Sequence, residues 1–504
     1  MSRSKAFLLN ASFASMLQVV TVIAGFIIPR VMLTAYGSEI NGLVTSVTQF
    51  VNYFKLVEAG LASAAVYSLY KPLAEKRHAD INAILSAARR FYNKSGYIFV
   101  SLVIGLAVTY PFLIKTPALT NPEIMILVMI VGGTGTLEFF TMAKYRVLLT
   151  AHQKVYVISF AGICATILNT LIIVILASIG YSIVTVRAVA LFSVFLRSLL
   201  LHIYVKNKYT FVNYYAHPNN EALKKRWDAF YLQLLGGVHD GVPVILATFF
   251  TSLKMVSVYS IFNMVMAGIS GILSVAINGL FASFGDVIAR GEKEILQKAY
   301  EEFEMVYYMI ITVTYGCTGV LLMSFVRLYT RGVTDANYYL PVIGFLFILN
   351  KLAYNIKTPQ GMLVISAGLF RETRVQTTIQ GLIAIFGGLI FVQFWGLAGI
   401  LIGSILSDIY RDIDLLFFIP KHVTKMRVRD SFYRILRIFL CLGIILLPFR
   451  FIQIDPQSYL HWLKNAFWTG IYASIVVIGV NFVLERGTFL RVTRRFSRLL
   501  VKTK

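Results

Sequence analysis

QFVNYFKLVEAGL, residues 49–61, sets a lysine and a glutamate in the middle of an apolar run that extends from Asn41 to Tyr70. Lys55 and Glu58 are three residues apart, so a continuous helix would put them on one face as a pair. The run is long enough to cross a bilayer, for which about 20 apolar residues suffice. A charge at the centre of such a helix costs about 2.5–3.5 kcal/mol to insert. Charges at that depth normally face a bundle interior or a wet cavity, where they mark substrate or ion pathways.

The rest of the chain repeats the pattern. Of its 504 residues, 58% are hydrophobic. Apolar runs place spans near 8–35, 41–70, 92–114, 123–148, 155–179 and 182–205, then near 229–252, 255–284, 303–326, 340–366, 375–396 and 398–420, and finally near 434–452 and 465–485. The expectation is an all-α polytopic membrane protein of about fourteen transmembrane helices. The first span follows a short MSRSK and ends in Pro29-Arg30 without a small-residue cleavage site, so it reads as a retained helix. Cys164, Cys317 and Cys441 each fall inside an apolar run, with neither disulfide nor metal spacing.

The net charge of +24 is not gathered on one soluble domain, so it does not read as a nucleic-acid-binding surface. It punctuates the connections between spans. With the N-terminus inside, 34 of the 47 Lys and Arg fall in inside segments, 6 in outside loops and 7 within spans. Positive residues concentrate on the cytoplasmic side of membrane proteins, so both termini are expected inside. The outside loops are short, the longest near 327–339 and 450–464. The inside stretch 73–91, with Leu73, Ile81, Ile84, Leu85 and Ala88 on one side, and the tail RGTFLRVTRRFSRLL (486–500) both suit an anionic inner leaflet.

An internal repeat is present. At a shift of 215 residues LAEKRHADINAILSAARRFY lies on IARGEKEILQKAYEEFEMVY, with Ala74 on Ala289 and Tyr92 on Tyr307. Pro29 and Pro243 are 214 residues apart. A unit of six spans gives parallel repeats related by an axis along the membrane normal, and transporters place substrate at the seam of such bundles. The expected division is 1–217 for an N-lobe, 218–432 for a C-lobe, and 433–504 for two further helices and a basic cytoplasmic tail.

The cations within spans are Arg30, Lys55, Arg187, Arg197, Lys351, Lys357 and Arg411; the acids are Glu58, Glu138, Asp240, Asp408, Asp412 and Asp414. Arg187, Lys357 and Asp414 lie toward the ends of their spans, where a side chain can snorkel. Lys55 and Glu58 either neutralise each other or serve a cavity. Asp408, Arg411 and Asp412, at i, i+3 and i+4, read as a self-satisfied cluster. Lys351 has no acid within helical reach, which favours a cavity role. In GGVHDGVPV (236–244), His239 and Asp240 sit among helix breakers; they either pack at a kink or move a proton.

Two six-span halves, two extra C-terminal spans, kinked first and seventh spans, a cationic middle and the block PRVMLTAYGSEINGLVTSVTQFVNYFKLVEAGLASAAVYSLYKPLAE (29–75) together resemble the Wzx-type polysaccharide flippases of the multidrug/oligosaccharidyl-lipid/polysaccharide exporter superfamily. The related lipid II flippase carries one arginine near the end of its first span and another shortly before a Glu-Gly element in its second. Arg30 matches the first position. Lys55 falls near the second, three residues before EAG (58–60), and keeps the charge without the guanidinium fork.

The resemblance implies a multi-pass protein of the bacterial cytoplasmic membrane that flips undecaprenyl-pyrophosphate-linked oligosaccharide by alternating access, for capsule or exopolysaccharide synthesis. Its implied partners are that lipid-linked oligosaccharide, anionic membrane lipids and a polysaccharide polymerase machinery. Arg30, Lys55, Lys351 and Arg197 would counter the pyrophosphate, with Glu58 holding Lys55. Asp240, His239 and Glu138 are the candidates for ion coupling, by H+ or Na+; no other cofactor is expected. Tyr53, Phe54 and Tyr354 could stack on sugars. The rival reading is an ion-coupled multidrug exporter of the same superfamily. A reading of another class, a membrane-embedded polysaccharide polymerase or ligase, would need catalytic groups on a sizeable outside loop. No phosphate-cradling glycine loop occurs in the sequence.

Overall fold

The computed structural model describes residues 3–223, 237, 241–278, 280–452 and 454–502; His239 and Asp240 lie outside them. Every regular element among the described residues is helical. The first half comprises α1 (Arg3–Phe54), α2 (Leu61–Ala74), α3 (His78–Leu113), α4 (Asn121–Leu137), α5 (Ala143–Ala151), α6 (Val155–Ile179) and α7 (Ile183–Lys208). There follow α8 (Gly241–Phe250), α9 (Leu253–Asn278), α10 (Leu280–Ala289), α11 (Lys293–Tyr329), α12 (Pro341–Ile356) and α13 (Thr358–Ser366). The chain closes with α14 (Arg374–Trp395), α15 (Leu397–Ile419), α16 (Val428–Leu446), α17 (Tyr459–Leu484) and α18 (Arg486–Lys502). Among the described residues nine helices are long and apolar enough to cross a membrane. This is a multi-pass membrane protein.

The sequence repeat is written into the helices. α3 is 36 residues long and α11 is 37, and Lys293 opens α11 215 residues after His78 opens α3. In both, the inside stretch and the span that follows form one continuous helix, where the hydropathy suggested an inside segment followed by a separate span. The apolar face of 78–91 is not laid on a leaflet. Ile81, Ile84, Leu85 and Ala88 are buried in the protein core.

Two compact units are formed, one of Met1–Ser260 with Gly332–Ala336, the other of Ile261–Arg331 with Asn337–Lys504. In the first unit α6 packs between α1 and α7, and α3 packs on α4. Small residues permit the close approaches: a Cβ on Gly42 of α1 would stand 1.8 Å from the Leu253 carbonyl oxygen. In the second unit α14 and α15 form a tight pair, with Gly403 so near the backbone of Gly387 and Gly388 that a Cβ would fall 2.3 Å from the Gly388 nitrogen. α16 and α17 dock on α11 through Cys441, Ile445, Ala473 and Val477. The tail α18 does not give all its basic groups to a lipid surface: Arg491 pairs with Glu301 at 2.8 Å and Arg495 with Glu302 at 2.7 Å.

α1 is two legs meeting at Gly37, whose φ of 80° and ψ of 175° interrupt the helix. The second leg opens at Ser38, and its first N–H would otherwise lack a partner. Asp335 supplies one: the Ser38 amide donates to Oδ2 at 2.7 Å and the Ser38 hydroxyl to Oδ1 at 2.7 Å. Partial burial pushes the Asp335 carboxyl up, but the Ser38 hydrogen bonds outweigh it and hold the group below the usual aspartate range. A carboxylate depressed in the folded state stabilises above its unfolded pKa, and that contribution is lost as pH falls through the folded pKa. Asp335→Ala should therefore lower stability by about 1 kcal/mol, the size of a helix cap. Thermal unfolding in detergent at neutral and acid pH checks this: the gap from wild type should close on acidification, and a gap that persists at low pH would rule out the cap.

Candidate functional site

The charged stretch of the second span is not a helix face. α1 ends at Phe54, Lys55–Glu58 form a single 3₁₀ turn, Ala59 is extended, and Gly60 has φ 78° before α2 starts at Leu61. A positive φ suits glycine because it has no Cβ to clash. Non-helical backbone at membrane depth is tolerated only where protein covers it or water reaches it. Two further charges sit at interruptions. Glu138 opens a π-helical turn, Glu138–Met142, between α4 and α5. Lys357 stands between α12 and α13, one residue before Thr358-Pro359, where the proline cannot continue the hydrogen-bond ladder of the preceding helix.

Lys55 does not pair with Glu58 across one helix face as the spacing suggested. Its Nζ lies 3.0 Å from Glu138 Oε2, and the guanidinium of Arg146 on α5 lies 2.5 Å from Glu138 Oε1. Gly135 makes room for the lysine stem, since a Cβ there would meet the Phe99 ring at 2.4 Å and Lys55 Cε at 3.1 Å. Arg197 of α7 interacts electrostatically with Glu138 and Arg146, and its Nε is buried with no hydrogen-bond partner among the described residues. Glu58 feels Arg146, Glu138 and Lys55, and Tyr92 stands against the same group. The structure thus brings together Lys55, Arg197, Glu58 and Glu138 and adds Arg146. That is three cations against two carboxylates within the first unit.

The cluster is open rather than sealed, with Lys55 31%, Arg146 35% and Glu138 20% exposed. Arg146 continues into a cavity of about 430 Å³ lined by Tyr67, Tyr70 and Tyr92, with Ser63 and Thr150. A guanidinium offers paired donors to phosphate oxygens, and tyrosine faces and hydroxyls suit sugar rings. Counting charges along the sequence assigns Arg146 to an inside connection, away from the site. In a regular helix it would lie about 80° around from Glu138; the π turn inserts extra backbone and returns it to the same side.

The other candidates are placed separately. Arg30 is half-buried on the first leg of α1, beyond the Gly37 break from Lys55. Tyr53 lies against α8, where a Cβ on Gly241 would meet its ring at 2.3 Å. Lys351 belongs to the second unit: its ammonium is 5.6 Å from the Tyr354 ring centroid, and Lys357 approaches the same ring at 4.7 Å. Asn355, one turn on from Lys351, donates to the Lys351 carbonyl at 2.7 Å and to the Tyr315 hydroxyl at 2.8 Å. The cluster anticipated at Asp408, Arg411 and Asp412 divides differently. Asp408 takes Lys357, Arg411 takes Asp414 at 2.6 Å, and Asp412 Oδ1 has no partner among the described residues. Lys357 and Asp414 are thereby paired rather than snorkelling.

Solved structures share this all-helical fold. The lipid II flippase MurJ, in an inward-closed conformation, matches with a TM-score of 0.70 over 94% of this chain and 99% of its own, at 14% identity. An inward-facing multidrug resistance MATE family transporter of the MOP superfamily matches with 0.63 over 87% and 99%, at 14% identity. The MATE multidrug transporter DinF-BH matches with 0.59 over 84% and 98%, at 14% identity. At such identities the likeness is one of fold. No protein-family model matches the chain, and no curated protein matches it.

Proposed function

We propose that this chain is a flippase of the Wzx type, carrying an undecaprenyl-pyrophosphate-linked oligosaccharide from the inner to the outer leaflet of a bacterial cytoplasmic membrane by alternating access. The observation that carries the reading is the cation surplus at an interrupted helix: Lys55, Arg146 and Arg197 against Glu58 and Glu138, beside a tyrosine-lined cavity. A pyrophosphate cannot cross about 30 Å of hydrocarbon without countercharge. Glu138 takes the role that the resemblance gives to Glu58: it holds Lys55 and Arg146 in place and competes with the anion, so that release remains feasible. The likeness in fold to a lipid II flippase supports a lipid-linked cargo. Arg30, and Lys351 beside Tyr354, supply further cationic stations in this reading.

The fold is shared with multidrug MATE transporters, and Glu58 and Glu138 would suit a cationic drug. The surplus of cations around those carboxylates weighs against that second reading. Deleting the gene in its host and analysing lipid-linked glycans separates the two. The flippase reading expects an undecaprenyl-linked oligosaccharide to accumulate on the inner leaflet. Unchanged lipid intermediates with altered drug tolerance would establish the exporter instead.

A further inference from the structure

Within the second unit two carboxylates of α15 stand close to a single ammonium. Asp408 is fully buried and amply satisfied: Lys357 Nζ bonds its Oδ1, Gln380 donates to the same oxygen at 3.2 Å, and Asn350 reaches Oδ2 at 3.4 Å. Asp412 follows one turn later. Its Oδ1 is buried with no hydrogen-bond partner among the described residues. The side chain lines an apolar cavity of about 330 Å³ between α12, α15 and α16, with Leu352, Ile356, Ile409, Phe432 and Phe439.

The charged and titratable groups around Asp412 are few. Lys357 and Asp408 act on it electrostatically. Tyr308 of α11 also feels it, but its hydroxyl already donates to the Ile356 carbonyl and accepts from Gln360. α12 and α16 turn aliphatic and aromatic groups toward the cavity. Arg411 is taken by Asp414, and Arg434 and Arg437 of α16 are taken by Glu304 and Glu485. A second full negative charge here has no counter-ion of its own. An isolated buried carboxylate neutralises rather than bear the desolvation. A hard metal cation would require several oxygen ligands, and this cavity offers carbon.

We infer that Asp412 is a proton-binding site of the second unit, taking up and releasing one hydrogen ion while Lys357 holds Asp408. Only its use as a coupling site rests on the transporter reading: Lys357 is also one of the two lysines on the Tyr354 ring, so the charge at Asp412 acts beside a cationic station of the proposed path.

Infrared difference spectroscopy of the full-length protein in lipid vesicles, with pH as the variable, tests the site without any substrate. The wild type should show a protonated-carboxyl C=O band at neutral pH that disappears on alkalinisation. Asp412→Asn should lack it, Asp414→Asn should keep it, and Asp412→Glu should shift its frequency. The inference is overturned if the band survives in Asp412→Asn, if the wild type shows none, or if sodium at constant pH removes it. None of these outcomes depends on the lipid-linked glycan experiment, so either result can fail alone.

Discussion

Arg434→Ala should destabilise the protein by about 3–5 kcal/mol, the cost of breaking a buried ion pair from one side. Glu304 of α11 is fully buried and Arg434 is 5% exposed. The arginine reaches Glu304 Oε2 at 2.6 Å and also binds Glu485 at the end of α17. Glu304 further accepts from Tyr300 at 3.0 Å, Gln360 at 3.1 Å and Ser431 at 3.0 Å. One guanidinium thus ties α11, α16 and the end of α17, and its loss leaves Glu304 as a buried charge without a cation. Arg434→Lys keeps the charge but cannot serve two carboxylates with one planar fork, and should fall between the two. Thermal unfolding in detergent reads the series; an unchanged midpoint in Arg434→Ala would show that the network does not hold the C-terminal helices.

The second large effect is expected at the helix break, where two substitutions should act in opposite senses on binding. Arg146→Ala removes a charge-assisted donor worth about 1.5–3 kcal/mol, so affinity for a pyrophosphate lipid and transport should both fall by roughly ten- to a hundredfold. Glu138→Gln frees Lys55 and Arg146 from their competing carboxylate. Affinity should then rise while transport slows, because release becomes harder. Parallel losses of affinity in both variants would mean that Glu138 only scaffolds the cations. Flipping assays in vesicles, paired with equilibrium binding, separate these outcomes.

Much of the fold is legible in the sequence because hydropathy and a near-constant repeat shift report span placement directly. The helices α3 and α11 begin at positions the repeat aligns. What periodicity cannot report is where a helix stops being regular. Lys55 and Glu58 look like an i, i+3 pair only if the helix continues through them, and it breaks there. The partner that Lys55 finds is 83 residues away, on another helix. Arg146 is hidden in the sequence because charge counting assigns it to a connection, and only the π turn after Leu137 brings it back over Glu138. Lys357 and Asp408 are 51 residues apart and likewise meet through tertiary packing. The presence of membrane-depth charge is therefore readable from sequence, whereas its pairing is not.

The most direct measurement is equilibrium binding of undecaprenyl pyrophosphate to the purified protein, with uncharged undecaprenol as the control and Lys55→Ala/Arg146→Ala as the test variant. If the first unit's cations hold the headgroup, wild type should favour the pyrophosphate over the alcohol. The double variant should lose about tenfold or more of that preference, the scale of one charge-assisted hydrogen bond or more. Equal affinity for the two lipids, or an undiminished preference in the double variant, would contradict the account.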